Sequence, residues 1–174
     1  MSLSIVLGDI TASHADAIVN AAKPSLMGGS GVDGAIHRAA GPGLYAECCT
    51  LGGCETGQAK ITHSYNLPCR WVIHTSGPRW MGGSQNEAAL LASSYRSCLD
   101  LAVRYGCQSI DFPSISTGIY GFPLPQAAHI ALKTIMDFLS RCPKLDVHIV
   151  CFDERTLRAY QVDWNMFYQE TKPE

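Results

Sequence analysis

Short apolar runs alternate with longer stretches of helical spacing along the chain. Leu3 to Leu7 and Ala17 to Asn20 are apolar runs of strand length, bounded by turn-forming residues. Gln58 to Tyr65 alternates in polarity and Trp71 to Thr75 has an apolar core, so both read as strands. Ser109 to Phe112 and Val147 to Phe152 continue the series. Between the strands lie helical patterns: one carrying Ile36, Ala39 and Ala40, one from Leu44 to Leu51, and one from Asn86 to Tyr105 through Leu91, Tyr95, Cys98 and Ala102. Two more run from Leu124 to Arg141 and from Glu154 to Tyr168, the last placing Leu157, Tyr160, Trp164 and Phe167 on one face. Strands alternating with helices predict an α/β sheet with helices on both sides. No repeat, linker or low-complexity stretch divides it, so one domain over residues 1–174 is expected.

Two glycine-rich loops follow predicted strands. The first contains Gly28, Gly29, Gly31 and Gly34 and opens into a helix. Glycine lets the backbone approach a ligand and take positive φ. A helix starting straight after it aims unpaired N–H groups at the loop, which suits a phosphate. The second loop, Ser114 to Pro123, offers Ser116, Thr117, Gly118 and Gly121 for backbone and hydroxyl contacts, and Phe122 as an apolar plate for a ring. Together the loops suit the two halves of a diphosphate. Either alone reads equally well as a tight strand–helix turn, because an isolated glycine motif is weak evidence. Sites in open α/β sheets gather at the carboxyl ends of strands, so both loops are expected to border one cleft.

Asp33 is the acid inside the phosphate-friendly turn, and it is the first catalytic candidate: it can position or deprotonate a water. Ser30 and Asp33 also fit S-x-x-D, so the competing reading is an N-cap and its capping-box partner. His37 lies one helical turn beyond Asp33. A Ser30, Asp33, His37 triad is disfavoured, since one loop and one turn rarely give triad geometry. Asp9, at the end of the first strand, suits an exocyclic amine or neighbouring amides, or is a solvated turn aspartate. The remaining histidines, His14, His63, His74, His129 and His148, read as structural residues.

Composition narrows the field. Hydrophobic residues make up 47% of the chain and charged ones 16%, which suits a compact globular protein. A formal charge of −2 provides no basic stripe for duplex nucleic acid. No apolar run approaches a membrane span and no secretory core is visible, so a cytoplasmic protein is expected. The 8 cysteines contain no C-x-x-C pair and read as reduced, mostly buried residues, with no metal or cofactor anticipated. Gly29, Gly31 and Gly34 match the dinucleotide fingerprint G-x-G-x-x-G, with Glu55 beyond it. The loop that contains Pro24 separates them from the strand end at Asn20, so a Rossmann-type protein is a remote alternative.

The combined pattern resembles the macrodomain family, in particular its bacterial and MacroD-type branch, which removes ADP-ribose and acetyl-ADP-ribose adducts. The matching stretches are Gly8 to Thr11, Asp16 to Ala22, Gly31 to Gly41, Val72 to Thr75 with Gly77 and Pro78, and Ser114 to Pro123. The resemblance implies a three-layer α/β/α fold with a mixed sheet and an ADP-ribose cleft at its crest. It implies that Asp9, with Ile10 beside it, binds the adenine amino group. Gly28, Gly29, Ser30, Gly31 and Val32 would surround the distal ribose and diphosphate. Ser116, Thr117, Gly118, Ile119, Tyr120 and Gly121 would form the second diphosphate loop, with Phe122 packing on the distal ribose. Asn20 and Asp33 match the family's catalytic half, Asp33 as the acid assigned to water activation.

The departures fall in that same half. Lys23 stands where the family has the asparagine that orients the distal ribose, and Ser30 interrupts the run of glycines. Lysine offers donors only, on a long mobile stem. It can bind a phosphate or ribose hydroxyl, or pair with Asp33 and hold that carboxylate charged, which makes it a weaker base. The expected function is ADP-ribose binding with hydrolysis of O-acetyl-ADP-ribose or of ester-linked mono-ADP-ribose on proteins through an Asp33-positioned water. The alternative is a weakly catalytic or non-catalytic ADP-ribose reader.

Overall fold

A computed structural model describes residues 2–168. The apolar runs become β1 (Ser2–Leu7), β2 (Ala17–Ala21), β3 (Ala59–His63), β4 (Trp71–Thr75), β5 (Ser109–Phe112) and β6 (Asp146–Cys151). They pair in the order β1-β6-β5-β2-β4-β3. Every pairing is parallel except that of β3 with β4, so the sheet is mixed. The helices are α1 (Gly31–Ala40), α2 (Pro42–Cys49), α3 (Glu87–Arg104), α4 (Leu124–Leu139) and α5 (Glu154–Phe167).

Burial along the strands records which faces the helices cover. In β2, Ala17, Ile18 and Val19 are all fully buried, so both faces of this central strand are covered. In β6, Val147, Ile149 and Cys151 are buried while His148 and Val150 are only half-buried, so one face is more open. The larger core holds Val19, Ile73 and Phe112 from the sheet with Leu91, Leu99, Leu132, Ile135 and Tyr160 from α3, α4 and α5. The smaller core, under α1 and α2, joins Ile18 and Val72 to Leu26, Ile36 and Leu44. Helices, sheet and helices make three layers.

Several element ends differ from the sequence pattern, each for a local reason. Pro42 occupies the first turn of α2, which starts that helix earlier than its apolar spacing suggested. Cys142 precedes Pro143, and α4 stops at Leu139 rather than Arg141. In α5, started by the Asp153 side chain accepting from the Thr156 amide at 2.8 Å, Tyr160 is buried but Phe167 is 56% exposed. Tyr168 takes the expected place beside Trp164, its ring 5.0 Å away. A 3-10 turn over Ile10–Ala12, with no apolar period to announce it, follows β1.

Among the described residues the 8 cysteines are free. Cys48, Cys54, Cys69, Cys98 and Cys151 are buried, and Cys49 is exposed. No three His, Cys, Asp or Glu side chains converge as metal ligands among those residues, and no helix is long and apolar enough to cross a membrane.

The larger core meets the second glycine loop through a short polar network. Tyr160 Oη lies 2.9 Å from Ser114 Oγ and 3.4 Å from Tyr95 Oη, which in turn accepts from the Ile115 amide at 3.2 Å. The segment after β4 packs tightly on the same loop, where a β-carbon on Gly77 would run into Ser116 Oγ. A neutral buried hydrogen bond contributes about 1 kcal/mol. Tyr160→Phe is therefore expected to lower the urea midpoint by the equivalent of about 1–2 kcal/mol; an unchanged midpoint would show that the hydroxyl anchors nothing.

Candidate functional site

β1, β6, β5, β2 and β4 run parallel, so the chain leaves all five at one rim. Along that rim lie Gly8 and Asp9 after β1, Phe152 after β6, the second glycine loop after β5, Asn20 near the end of β2 and the first glycine loop after it, and Ser76 and Gly77 after β4. The expectation that both loops border one cleft rests on β2 and β5 being neighbours, and they are.

The centre of the rim is a buried polar cluster. Asn20 is 0% exposed, Asp33 4% and His74 0%. Asn20 Nδ2 donates to Asp33 Oδ1 at 2.9 Å and lies 3.1 Å from His74 Nδ1. His74 Nε2 lies 2.9 Å from Thr62 Oγ1 and 3.8 Å from Cys48 Sγ. His37 Nε2 is 3.4 Å from Asp33 Oδ1, so the two share a helix face as their spacing predicted. Ser30 stands apart, exposed at the N-cap of α1, and its hydroxyl makes no capping bond. The S-x-x-D capping box does not form, because Asp33 turns inward to Asn20. No Ser30, Asp33, His37 triad assembles either.

Burial pushes the Asp33 carboxyl up from its ordinary value of 3.8, against the opposing pull of the Asn20 donor, His37 and Lys23. This corrects the sequence-based picture of Lys23, in which pairing would lower Asp33 and hold it charged. Lys23 is exposed and forms no ion pair with Asp33. Its stem instead folds against Gly29, where a β-carbon would sit 3.1 Å from Lys23 Cε and 3.0 Å from Asp33 Oδ2. Desolvation outweighs its charge. Burial also drives His74 down to about 3, so its imidazole is neutral at ordinary pH. Asp33 Oδ2, Asn20 Oδ1 and His37 Nε2 are buried with no hydrogen-bond partner in the protein. Buried polar atoms left this way are costly and mark where a polar reactant fits.

The first loop is shaped for close approach. Gly28 has φ +84°, and a β-carbon on Gly34 would lie 2.5 Å from the Gly29 carbonyl oxygen. Gly29, Ser30 and Gly31 are exposed, and Val32 is half-buried against the smaller core. In the second loop Ser116 is in the left-handed region at φ 66°, with the Phe122 amide donating to its carbonyl at 3.0 Å and the Gly121 amide to Gly118 at 3.0 Å. Among the described residues, the amides of residues 116–120 donate to no protein acceptor. Gly118 faces open space and Ile119 is 75% exposed, while Tyr120 is half-buried and Trp80 donates to its carbonyl at 2.8 Å.

Three expected contacts are otherwise engaged. The Thr117 hydroxyl donates to Ser114 Oγ at 2.8 Å, so it holds the loop rather than facing outward. Phe122 is 2% exposed with its ring 4.8 Å from Trp80, a core residue beneath the loop rather than an open plate. The Ile10 side chain is 6% exposed in the smaller core. Asp9 is exposed; its Oδ1 accepts from the Thr11 amide at 2.9 Å and the Thr11 hydroxyl at 2.7 Å, capping the 3-10 turn.

Sequence reasoning passed over Phe152 and His74. Phe152 is 83% exposed at the rim, directly after the pair Leu7 and Cys151. The sequence pattern makes it the last residue of a strand, whereas β6 ends at Cys151; its position just before the helix cap Asp153 is the available signal. His74 lies in the matching stretch Val72 to Thr75, but that stretch reports no role for it, since its partners Asn20 and Thr62 lie on other strands.

Residues 19–131 match the model of the macro domain family. A macro domain-containing protein of Chlorobaculum tepidum is 56% identical over 157 residues, covering 90% of this chain and 91% of the relative. A protein of Citrobacter rodentium named O-acetyl-ADP-ribose deacetylase is 53% identical over 164 residues, covering 91% and 93%. The solved structure of the Oceanobacillus iheyensis macrodomain with ADP superposes at a TM-score of 0.91 with 45% identity, covering 94% and 90%. Matched by the family model over residues 19–131 and by relatives more than half identical across most of its length, the chain belongs to the macrodomain family.

Proposed function

We propose that this protein binds ADP-ribose along the rim and hydrolyses its O-acetyl ester. The observation that carries the reading is the Asp33 carboxyl, buried, raised, hydrogen-bonded through one oxygen and without a protein partner on the other. Relatives more than half identical to this chain and named O-acetyl-ADP-ribose deacetylase support it.

In this reading Asp9 and Phe152 hold the adenine, the aspartate through the amino group and the exposed ring by stacking. The free amides of residues 116–120 and the N-terminus of α1 take the diphosphate. The distal ribose then lies beside Gly28 and Gly29, with its ester toward Asp33. Ionised Asp33 takes a proton from water as the water oxygen attacks the acyl carbon. The tetrahedral intermediate collapses by breaking the bond to the ribose oxygen, which receives the proton from Asp33. Acetic acid and ADP-ribose leave, the acid gives its proton to solvent as acetate, and the Asp33 carboxylate is restored. Esters that join mono-ADP-ribose to protein carboxyl groups present the same bond and are proposed as further substrates.

Asp33→Ala is expected to abolish turnover of O-acetyl-ADP-ribose while calorimetry still detects ADP-ribose. Asp9→Ala and Phe152→Ala are each expected to weaken that binding about tenfold, or about 1.4 kcal/mol. Binding without any Asp33-dependent turnover would favour the reader instead, a reading supported by the Lys23 stem lying against Gly29 beside Asp33.

The pH profile carries a sign. A base must be ionised, so kcat/KM rises with pH through the Asp33 pKa, which burial has raised above 3.8. Lys23 opposes that rise, so Lys23→Asn is expected to move the acid limb to higher pH. A limb that moves down, or stays put, would remove Lys23 from the electrostatics of the base.

A further inference from the structure

Thr62, His74, Asn20 and Asp33 form a continuous line of side chains from β3 through β4 and β2 to α1, and one proton at its far end fixes the orientation of the rest. Thr62 Oγ1 donates to the His63 carbonyl oxygen at 3.0 Å. A hydroxyl carries one hydrogen. With that hydrogen on the carbonyl, Oγ1 is left as the acceptor toward His74 Nε2, 2.9 Å away, and this arrangement, on which the proposal below is built, puts a hydrogen on Nε2. A neutral imidazole has a single N–H, so His74 Nδ1 is a bare lone pair. That lone pair faces Asn20 Nδ2 at 3.1 Å and accepts one hydrogen of the amide. The second hydrogen of the same amide points at Asp33 Oδ1, 2.9 Å away. The inverted amide would set its oxygen against a bare imidazole nitrogen and a carboxylate, three acceptors with no hydrogen among them.

We propose that Thr62 and His74 are positioning residues for the reaction: they hold the Asn20 amide with its NH2 toward Asp33 and thereby keep a hydrogen-bond donor on the catalytic carboxylate. The proposal rests on the reading of Asp33 as the base. It also accounts for the free atoms of the cluster. With Nδ2 committed twice, Asn20 Oδ1 and Asp33 Oδ2 are the acceptors left for a reactant. The groups facing Asp33 are His37 on its own helix, Lys23 from the loop after β2, Asn20 from β2 and Cys48 from α2. Those facing His74 are His37, Cys48 and Glu47. Burial holds His74 neutral at about 3 and the Cys48 thiol protonated at about 11, so neither adds charge to the line at ordinary pH.

Thr62→Val keeps the shape of the side chain, changes no charge and removes the acceptor that pins the His74 tautomer. The nitrogen NMR shifts of His74 in the wild type are expected to report hydrogen on Nε2 across the neutral range. In Thr62→Val a population with hydrogen on Nδ1 is expected. The Asp33 carboxyl, followed by carboxyl-carbon NMR titration without substrate, is expected to titrate about one pH unit higher in that variant, because the ionised form has lost a donor. Thr62→Ser restores both readings. A wild-type His74 with hydrogen on Nδ1 overturns the proposal and needs no variant to fold. A folded Thr62→Val protein whose Asp33 titration does not move overturns it as well, leaving Thr62 and His74 as packing residues. Both readings are taken on the free protein. A wild type without turnover would defeat Asp33 as the base and leave these two outcomes as informative as before.

Discussion

Parallel pairing of β1, β6, β5, β2 and β4 gives the molecule a direction: the chain leaves five strands at the same rim, and Asp9, Asn20, Asp33, both glycine loops and Phe152 lie along it. Antiparallel pairing would have sent alternate loops to opposite ends of the sheet. β3 alone is antiparallel, and it supplies Thr62 from within the strand rather than from a loop. The rim is built by connectivity first, and side-chain chemistry is laid on it. Helices on both faces allow this, since a strand buried on both sides, as β2 is, can end in polar residues that are themselves buried.

Burial then sets the chemistry. Asn20, Asp33 and His74 are placed where water cannot reach them freely, so each must find partners within reach. The partners found are incomplete: Asp33 keeps one unsatisfied oxygen, and its charged form is disfavoured despite three nearby groups that favour it. A fully satisfied carboxylate would be held well below the usual range and be a poor base. Asp33 sits on the other side of that balance. Lys23, which alters the family pattern beside this carboxyl, modifies the balance without reversing it.

Much of this was legible in the sequence because it is local. Six strands and five helices followed from period and run length, Asp33 and both glycine loops followed from residue types at fixed spacing along single loops, and Asn20 followed from the family resemblance. What escaped depends on partners distant in the chain. Ile10 looked like a rim residue, yet Ile18 and Ile36 draw it into the core. Thr117 and Phe122 looked available, yet Ser114 and Trp80 engage them. Phe152 looked like a strand residue, and its exposure appears only when β6 ends beside β1. His74 is the clearest case: its role lies in Asn20 and Thr62 on the two neighbouring strands, and no pattern along β4 reports them.

A crystal structure with ADP-ribose tests the central claim most directly, that one elongated ligand spans the rim. The account predicts the adenine between Asp9 and Phe152, the diphosphate on the amides of residues 116–120 and the start of α1, and the distal ribose beside Gly29 and Asp33. A ligand bound away from the rim, or running the other way with its adenine at Asp33, would contradict it.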